Sequence, residues 1–166
     1  MNFYKPEIVG ALPTCATNAL IYLIMKIYLA CPFSEGTRKD MFECAKILEE
    51  HFHDVYVPAR TKLENDWDWP NNEWGLQVFR NDVEALKQAE FVVVLNYGRE
   101  LTTAGTSWEQ GFAYGIGKKI LLVEMTDNVQ SLMTANGRYA TIKGLEELKN
   151  YSFEHPKPLR TNTEQK

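Results

Sequence analysis

The chain has 166 residues, with 18 Lys and Arg against 22 Asp and Glu, for a net charge of −4. That length suits one domain, and 45% hydrophobic with 24% charged residues is ordinary for a globular chain. A mildly acidic chain with no long Lys/Arg run offers no basic face for sequence-independent nucleic-acid binding, so small neutral ligands are the better expectation.

The first apolar stretch, Ala11 to Met25 (ALPTCATNALIYLIM), is interrupted by Asn18 and stopped by Lys26. It falls short of the ~20 apolar residues that span a bilayer. With only Lys5 as a basic region and no clean cleavage site, it also reads poorly as a signal peptide. Met25 opens directly on a β-rich run. Residues 1–24 are therefore expected to be an extension outside the core, 25–153 the folded domain and 154–166 a polar tail. Cys15, Cys31 and Cys44 lack metal-type spacing and fit a reduced, cytoplasmic setting, with Cys31 and Cys44 as small core residues.

From Lys26 a rhythm sets in. KIYLAC is a short strand stopped by Pro32. Ser34 to Phe52 places Met41, Ala45, Leu48 and Phe52 at helical spacing. DVYVP (Asp54 to Pro58) is a second strand. Ala59 to Trp74 is polar and irregular yet carries three tryptophans, and a loop of that length inside a domain is usually functional. Glu73 to Glu90 reads as a helix with Leu76, Phe79, Val83 and Leu86 on one face. FVVVLNY (Phe91 to Tyr97) is apolar enough for a strand covered on both sides. A loop leads to a helix over about Ser107 to Gly115, then KKILLVEM forms a fourth strand and Gly144 to Tyr151 a short amphipathic helix.

Alternating strands and helices predict an α/β fold with an open, doubly wound parallel sheet, flavodoxin-like, of order 2-1-3-4, with a possible fifth strand near Tyr139 to Ile142. In such sheets ligands sit beyond the carboxyl ends of the strands, at the switch point between the first and third. The loops after strands one, two and three meet there, with the start of the third helix. The mouth thus carries aromatic rings for stacking a flat ligand and carboxylates for chemistry.

The chain has no Gly-x-Gly-x-x-Gly, no Walker loop and no Gly-x-Ser-x-Gly, so no cofactor or metal is expected. His51, His53 and His155 have no ligand spacing and read as solvated surface residues. Glu109 remains open between two roles. Thr106-x-x-Glu109 matches a capping box, in which the glutamate merely satisfies the cap. In the helix's first turn, where the dipole favours an ionised carboxylate, it is equally placed to attack an anomeric carbon, as in retaining glycosidases. For Asp82 a solvated helix face, and for Tyr28 a packed core ring, are the plain alternatives to a catalytic role.

The segments KIYLACPF, YVP, EWGLQVFRNDVEALKQAEFVVVL and GTSWEQGFAYGIGKKILLV, in this order, resemble the nucleoside 2-deoxyribosyltransferase family from Lys26 to about Tyr151. The most specific piece is Asn81-Asp82 in a helix, followed by Glu109-x-Gly-x-Ala-x-x-x-Gly-Lys and a buried strand. The resemblance implies that Glu109 is the nucleophile, displacing a base from a 2′-deoxynucleoside to form a covalent deoxyribosyl-enzyme that a second base resolves with net retention. It implies that Tyr28 donates to Glu109 and that Asp82 contacts the substrate and shuttles the leaving base's proton. It places Trp74, Phe33, Asn81, Thr103, Gly105 and Ser107 as substrate contacts, and Gly111 and Ala113 as the residues that hold the helix close to the sheet. It also implies a homo-oligomer whose sites are completed by a neighbouring subunit, with nucleosides and free nucleobases as partners.

Two departures bear on the sugar's 5′ position. Thr103 stands where the family commonly has an aspartate, and the neighbouring subunit's asparagine would fall near Ala140. Hydrolysis of a nucleoside or a nucleoside 5′-monophosphate is therefore an alternative, with Thr102, Thr103, Ser107 and Arg99 as phosphate contacts. A catalytically silent nucleotide-binding module is a third reading.

Overall fold

A computed structural model describes residues 24–51, 53–63, 68 and 70–157. Almost all of the expected extension, the end of the tail, Phe52, Trp67 and Trp69 lie outside the described residues.

Five strands form one parallel sheet in the order β2-β1-β3-β4-β5: β1 Lys26–Ala30, β2 Asp54–Tyr56, β3 Phe91–Asn96, β4 Lys119–Glu124 and β5 Ala140–Lys143. The helices are α1 Glu35–Glu50, α2 Asn71–Gln88, α3 Ala104–Gly115, α4 Leu132–Asn136 and α5 Gly144–Lys149. The fold is the α/β, flavodoxin-like one that the alternating pattern predicts, with the fifth strand present.

The period-2 alternation of a strand divides the core into two layers. Ile27, Leu29, Val93, Leu95, Leu121 and Val123 pack with Met41, Cys44, Ala45 and Leu48 of α1 and Leu148 of α5. Tyr28, Ala30, Val92, Val94, Ile120 and Leu122 pack with Leu86 of α2 and Ala113 of α3. Both faces of the sheet are covered, which is why β3 and β4 are unbroken apolar runs. Tyr28 thus lies on the α2/α3 side, and its ring is fully buried.

Helix starts follow local chemistry. Ser34 caps α1 in a reciprocal capping box with Thr37. Thr103 caps α3, accepting from the Thr106 N–H at 3.3 Å. This corrects the expected start of α3 by three residues and removes the Thr106-x-x-Glu109 capping box. Glu109 then lies in the second turn, beyond the free N–H groups of the helix start. The helix α4 has no counterpart in the sequence reading.

Three further expectations are corrected. On α2 only Leu86 is buried, while Leu76 and Phe79 are about half exposed, at 48% and 50%. His53 is not a solvated surface residue: its ring packs edge-on against Phe153 at 5.0 Å. Ala113 packs against the sheet, but Gly111 faces outward into a groove between α3 and α4. Among the described residues, no helix is long and apolar enough to cross a membrane.

Candidate active site

A cavity of about 380 Å³ opens beyond the carboxyl ends of β1 and β2. Leu29 and Cys31 bring the end of β1 to it, and Tyr56, Pro58, Ala59 and Thr61 bring the end of β2 and its loop. From α2 come Trp74, Val78 and Asp82, which recur at helical spacing and so share one face. From α3 and its cap come Thr103, Gly105, Thr106 and Glu109. Its size suits a small organic molecule.

At its floor the Tyr28 hydroxyl donates to Glu109 Oε1 at 2.6 Å. The Tyr56 hydroxyl donates to Asp82 Oδ1 at 2.9 Å. The two tyrosines are register partners on adjacent strands, and their rings stack with centroids 5.4 Å apart. Each carboxylate therefore has one oxygen held by a phenol, and the two phenols are held by each other.

Burial pushes Glu109 up to about 7; the Tyr28 hydrogen bond pulls it down and the Asp82 charge adds to the rise. This reverses the sequence-based expectation of a carboxylate kept ionised by the helix dipole, because Glu109 is both desolvated and past the helix's first turn. Burial also raises Asp82, against the Tyr56 hydrogen bond that lowers it. Burial, then the neighbouring Glu109 carboxylate, keep the Tyr28 phenol protonated. Such a pair of carboxyl groups can hold one proton between them and offer one oxygen to an electrophile.

The other expected contacts divide. Phe33, Trp74, Thr103 and Gly105 line the cavity. Asn81 does not; its Oδ1 accepts from Gln77 Nε2 at 2.8 Å along the helix. Ser107 lines the separate α3/α4 groove instead, because it sits on the opposite side of α3 from Glu109's cavity. Ala140 is buried in β5 and has no free face to offer a neighbour. Of the hydroxyls and cations considered for a phosphate, only Thr103 lines the cavity; Thr102 is bonded to Asn96 Oδ1 at 3.2 Å. Among the described lining residues none is Lys or Arg, and the nearby Arg60 is paired with Glu49. Cys31 is partly buried, packing against the core while also lining the cavity, and Cys44 is fully buried.

Among the lining residues that the sequence does not mark out, Tyr56 is the one bonded to a candidate catalytic carboxyl. Its place in an alternating apolar run reads as packing, and its partner Asp82 is 26 residues away.

The nucleoside 2-deoxyribosyltransferase family matches residues 27–157. Among solved structures, a 2-deoxyribosyltransferase from Bacillus psychrosaccharolyticus is 30% identical, with a TM-score of 0.69, covering 81% of this chain and 98% of that one. A conserved protein from Enterococcus faecalis V583 is 18% identical at a TM-score of 0.61, covering 76% and 96%. A CMP N-glycosidase from Clostridium botulinum is 19% identical at 0.50, covering 75% and 93%. At these identities the last two share the fold alone. No curated protein matches the chain.

Proposed function

The chain belongs to the nucleoside 2-deoxyribosyltransferase family of enzymes, and we propose that it exchanges bases on 2′-deoxyribonucleosides through a deoxyribosyl ester of Glu109. The observation that carries this reading is the Tyr28–Glu109 hydrogen bond at the floor of a cavity shared with Asp82. A carboxylate spent on capping its own helix would not be held by a buried phenol from the sheet.

In the first half-reaction Glu109 Oε2, the oxygen not held by Tyr28, attacks C1′. The C1′–N bond breaks, its electron pair leaves with the base, and Asp82 supplies the proton that makes the base a competent leaving group. In the second half a new base attacks C1′, the ester bond breaks back to the Glu109 carboxylate, and the incoming base's proton returns to Asp82. Two inversions give net retention. The substrate face of Trp74 supports stacking on the base. Residues 25–153 form the catalytic domain in this reading.

The lack of a cation among the described lining residues favours neutral nucleosides over 5′-monophosphates. A homo-oligomer is part of the proposal. It is supported by apolar side chains left exposed on α2 and α3, including Phe79 against Trp108 at 5.3 Å, and by Leu132 and Met133 on α4.

The deciding experiment incubates the protein with deoxyinosine and free adenine. Deoxyadenosine is the expected product. Free deoxyribose as the sole sugar product would support a hydrolase, and no turnover would support a binding module.

A further inference from the structure

We infer that Tyr56 is a positioning residue that selects which oxygen of Asp82 delivers the proton to the leaving base. The inference rests on the proposed function and deepens it. The Tyr56 hydroxyl donates to Asp82 Oδ1 at 2.9 Å, so the carbonyl character is favoured at Oδ1 and the transferable proton at Oδ2, which has no such donor. Asp82 and Tyr56 both line the cavity, which places that choice at the substrate.

The Tyr56 ring is itself fixed. It stacks on Tyr28 at 5.4 Å with an interplanar angle of 23°, and Tyr28 is buried and bonded to Glu109. The parallel register of β1 and β2 puts Tyr28 and Tyr56 side by side. The stacked pair is thus a spacer: one ring carries the nucleophile, the other carries the acid, and the sheet sets the offset between them. Proton transfer from a positioned group depends on that offset, since a misplacement of about 1 Å can cost about 10²-fold.

The test compares two leaving groups in the full-length protein. Deoxyinosine needs a proton on its departing base, whereas 7-methyl-2′-deoxyguanosine already carries a cationic base and needs none. Single-turnover base release is measured for wild type, Tyr56→Phe, Asp82→Asn and Glu109→Ala. Tyr56→Phe keeps the ring and removes the donor. It is expected to slow release from deoxyinosine about tenfold, well inside the 10²-fold cost of gross misplacement, while leaving 7-methylguanine release near wild type. Asp82→Asn should show the same selectivity more strongly. Taking the ratio of the two substrates on one preparation cancels any loss of folded protein. If Tyr56→Phe yields no folded protein, Tyr56→His, which retains a ring N–H donor, is measured instead and should hold the ratio closer to wild type than Asp82→Asn does. Equal loss on both substrates, or no loss on either, overturns the inference about Tyr56. Glu109→Ala separates the two levels: if it still releases base, the proposed function itself fails.

Discussion

The Tyr28 hydroxyl on β1 donates to Glu109 Oε1 on α3 at 2.6 Å, joining residues 81 apart in sequence. Charge-assisted bonds of this kind contribute about 1.5–3 kcal/mol. Spent on orientation, that is roughly a 10- to 100-fold effect on the rate of attack. Tyr28→Phe is therefore expected to lower kcat by that factor with little change in KM. Steady-state kinetics on deoxyinosine plus adenine checks it, and a rise in KM alone would assign Tyr28 to binding.

Glu109 also weighs on stability. Its folded carboxyl titrates near 7, raised from 4.5, chiefly by burial. A carboxyl raised in this way contributes stability that is complete below pH 4.5 and is lost as the pH climbs through about 7. Above that pH the ionised group costs the folded state about 3 kcal/mol. Glu109→Gln should be inactive yet more stable than wild type at pH 8, with the difference vanishing near pH 4. Urea unfolding at the two pH values measures it; equal midpoints at pH 8 would contradict the desolvation argument.

The pH dependence of catalysis follows from the same pair. Burial raises both carboxyls, Glu109 to about 7, and around neutral pH the coupled pair holds one proton between them, which the reaction needs on Asp82. Transfer needs one ionised and one protonated group, so kcat/KM should fall above about pH 7 as the last proton leaves, and fall again in acid as the second binds. In Asp82→Asn with a 7-methyl substrate no acid is needed. The rate should then rise with pH and level off below pH 7, because the charge that helped raise Glu109 is gone. A wild-type profile that stays flat from about pH 6 to about pH 9 would contradict a shared proton.

Much of this architecture was legible in the chain, for physical reasons that differ by element. Strands β3 and β4 announce themselves because a sheet covered on both faces leaves no polar position in Phe91–Leu95 or Ile120–Val123. The start of α3 is ambiguous in the sequence because Thr103 and Thr106 are both acceptable cap residues. The choice between them is tertiary: Glu109 is drawn to Tyr28, which local spacing cannot reveal. On α2 the stripe of Leu76, Phe79, Val83 and Leu86 is real, but periodicity identifies an apolar face without identifying its cover, and Leu76 and Phe79 are exposed. The short helix α4 buries only Thr134 among its residues and so leaves no periodic signal. Tyr56 carries no signal in the sequence because its two contacts, Asp82 and Tyr28, exist only in the folded sheet.

The Thr103 position tests 5′ recognition. Thr103 lines the cavity and caps α3, and Asp caps helices as well as Thr does, so Thr103→Asp should fold normally. Wild type is expected to discriminate weakly between deoxyadenosine and 2′,5′-dideoxyadenosine, because Thr103 Oγ1 is already engaged with Thr106 at 3.0 Å. Thr103→Asp should increase the preference for the 5′-hydroxyl about tenfold, the effect of one well-placed hydrogen bond to a charged group. Competition between the two nucleosides reads it directly, and an unchanged ratio would remove Thr103 from the sugar's 5′ side.

Mass spectrometry on protein treated with a slow 2-fluoro-2-deoxyribosyl nucleoside probes the covalent step itself. One fluorinated sugar should be found on each chain, mapped by peptide sequencing to Glu109 and released when a free base is added. A label on any other residue, or unlabelled protein that nonetheless turns the analogue over, would show that no ester at Glu109 lies on the reaction path.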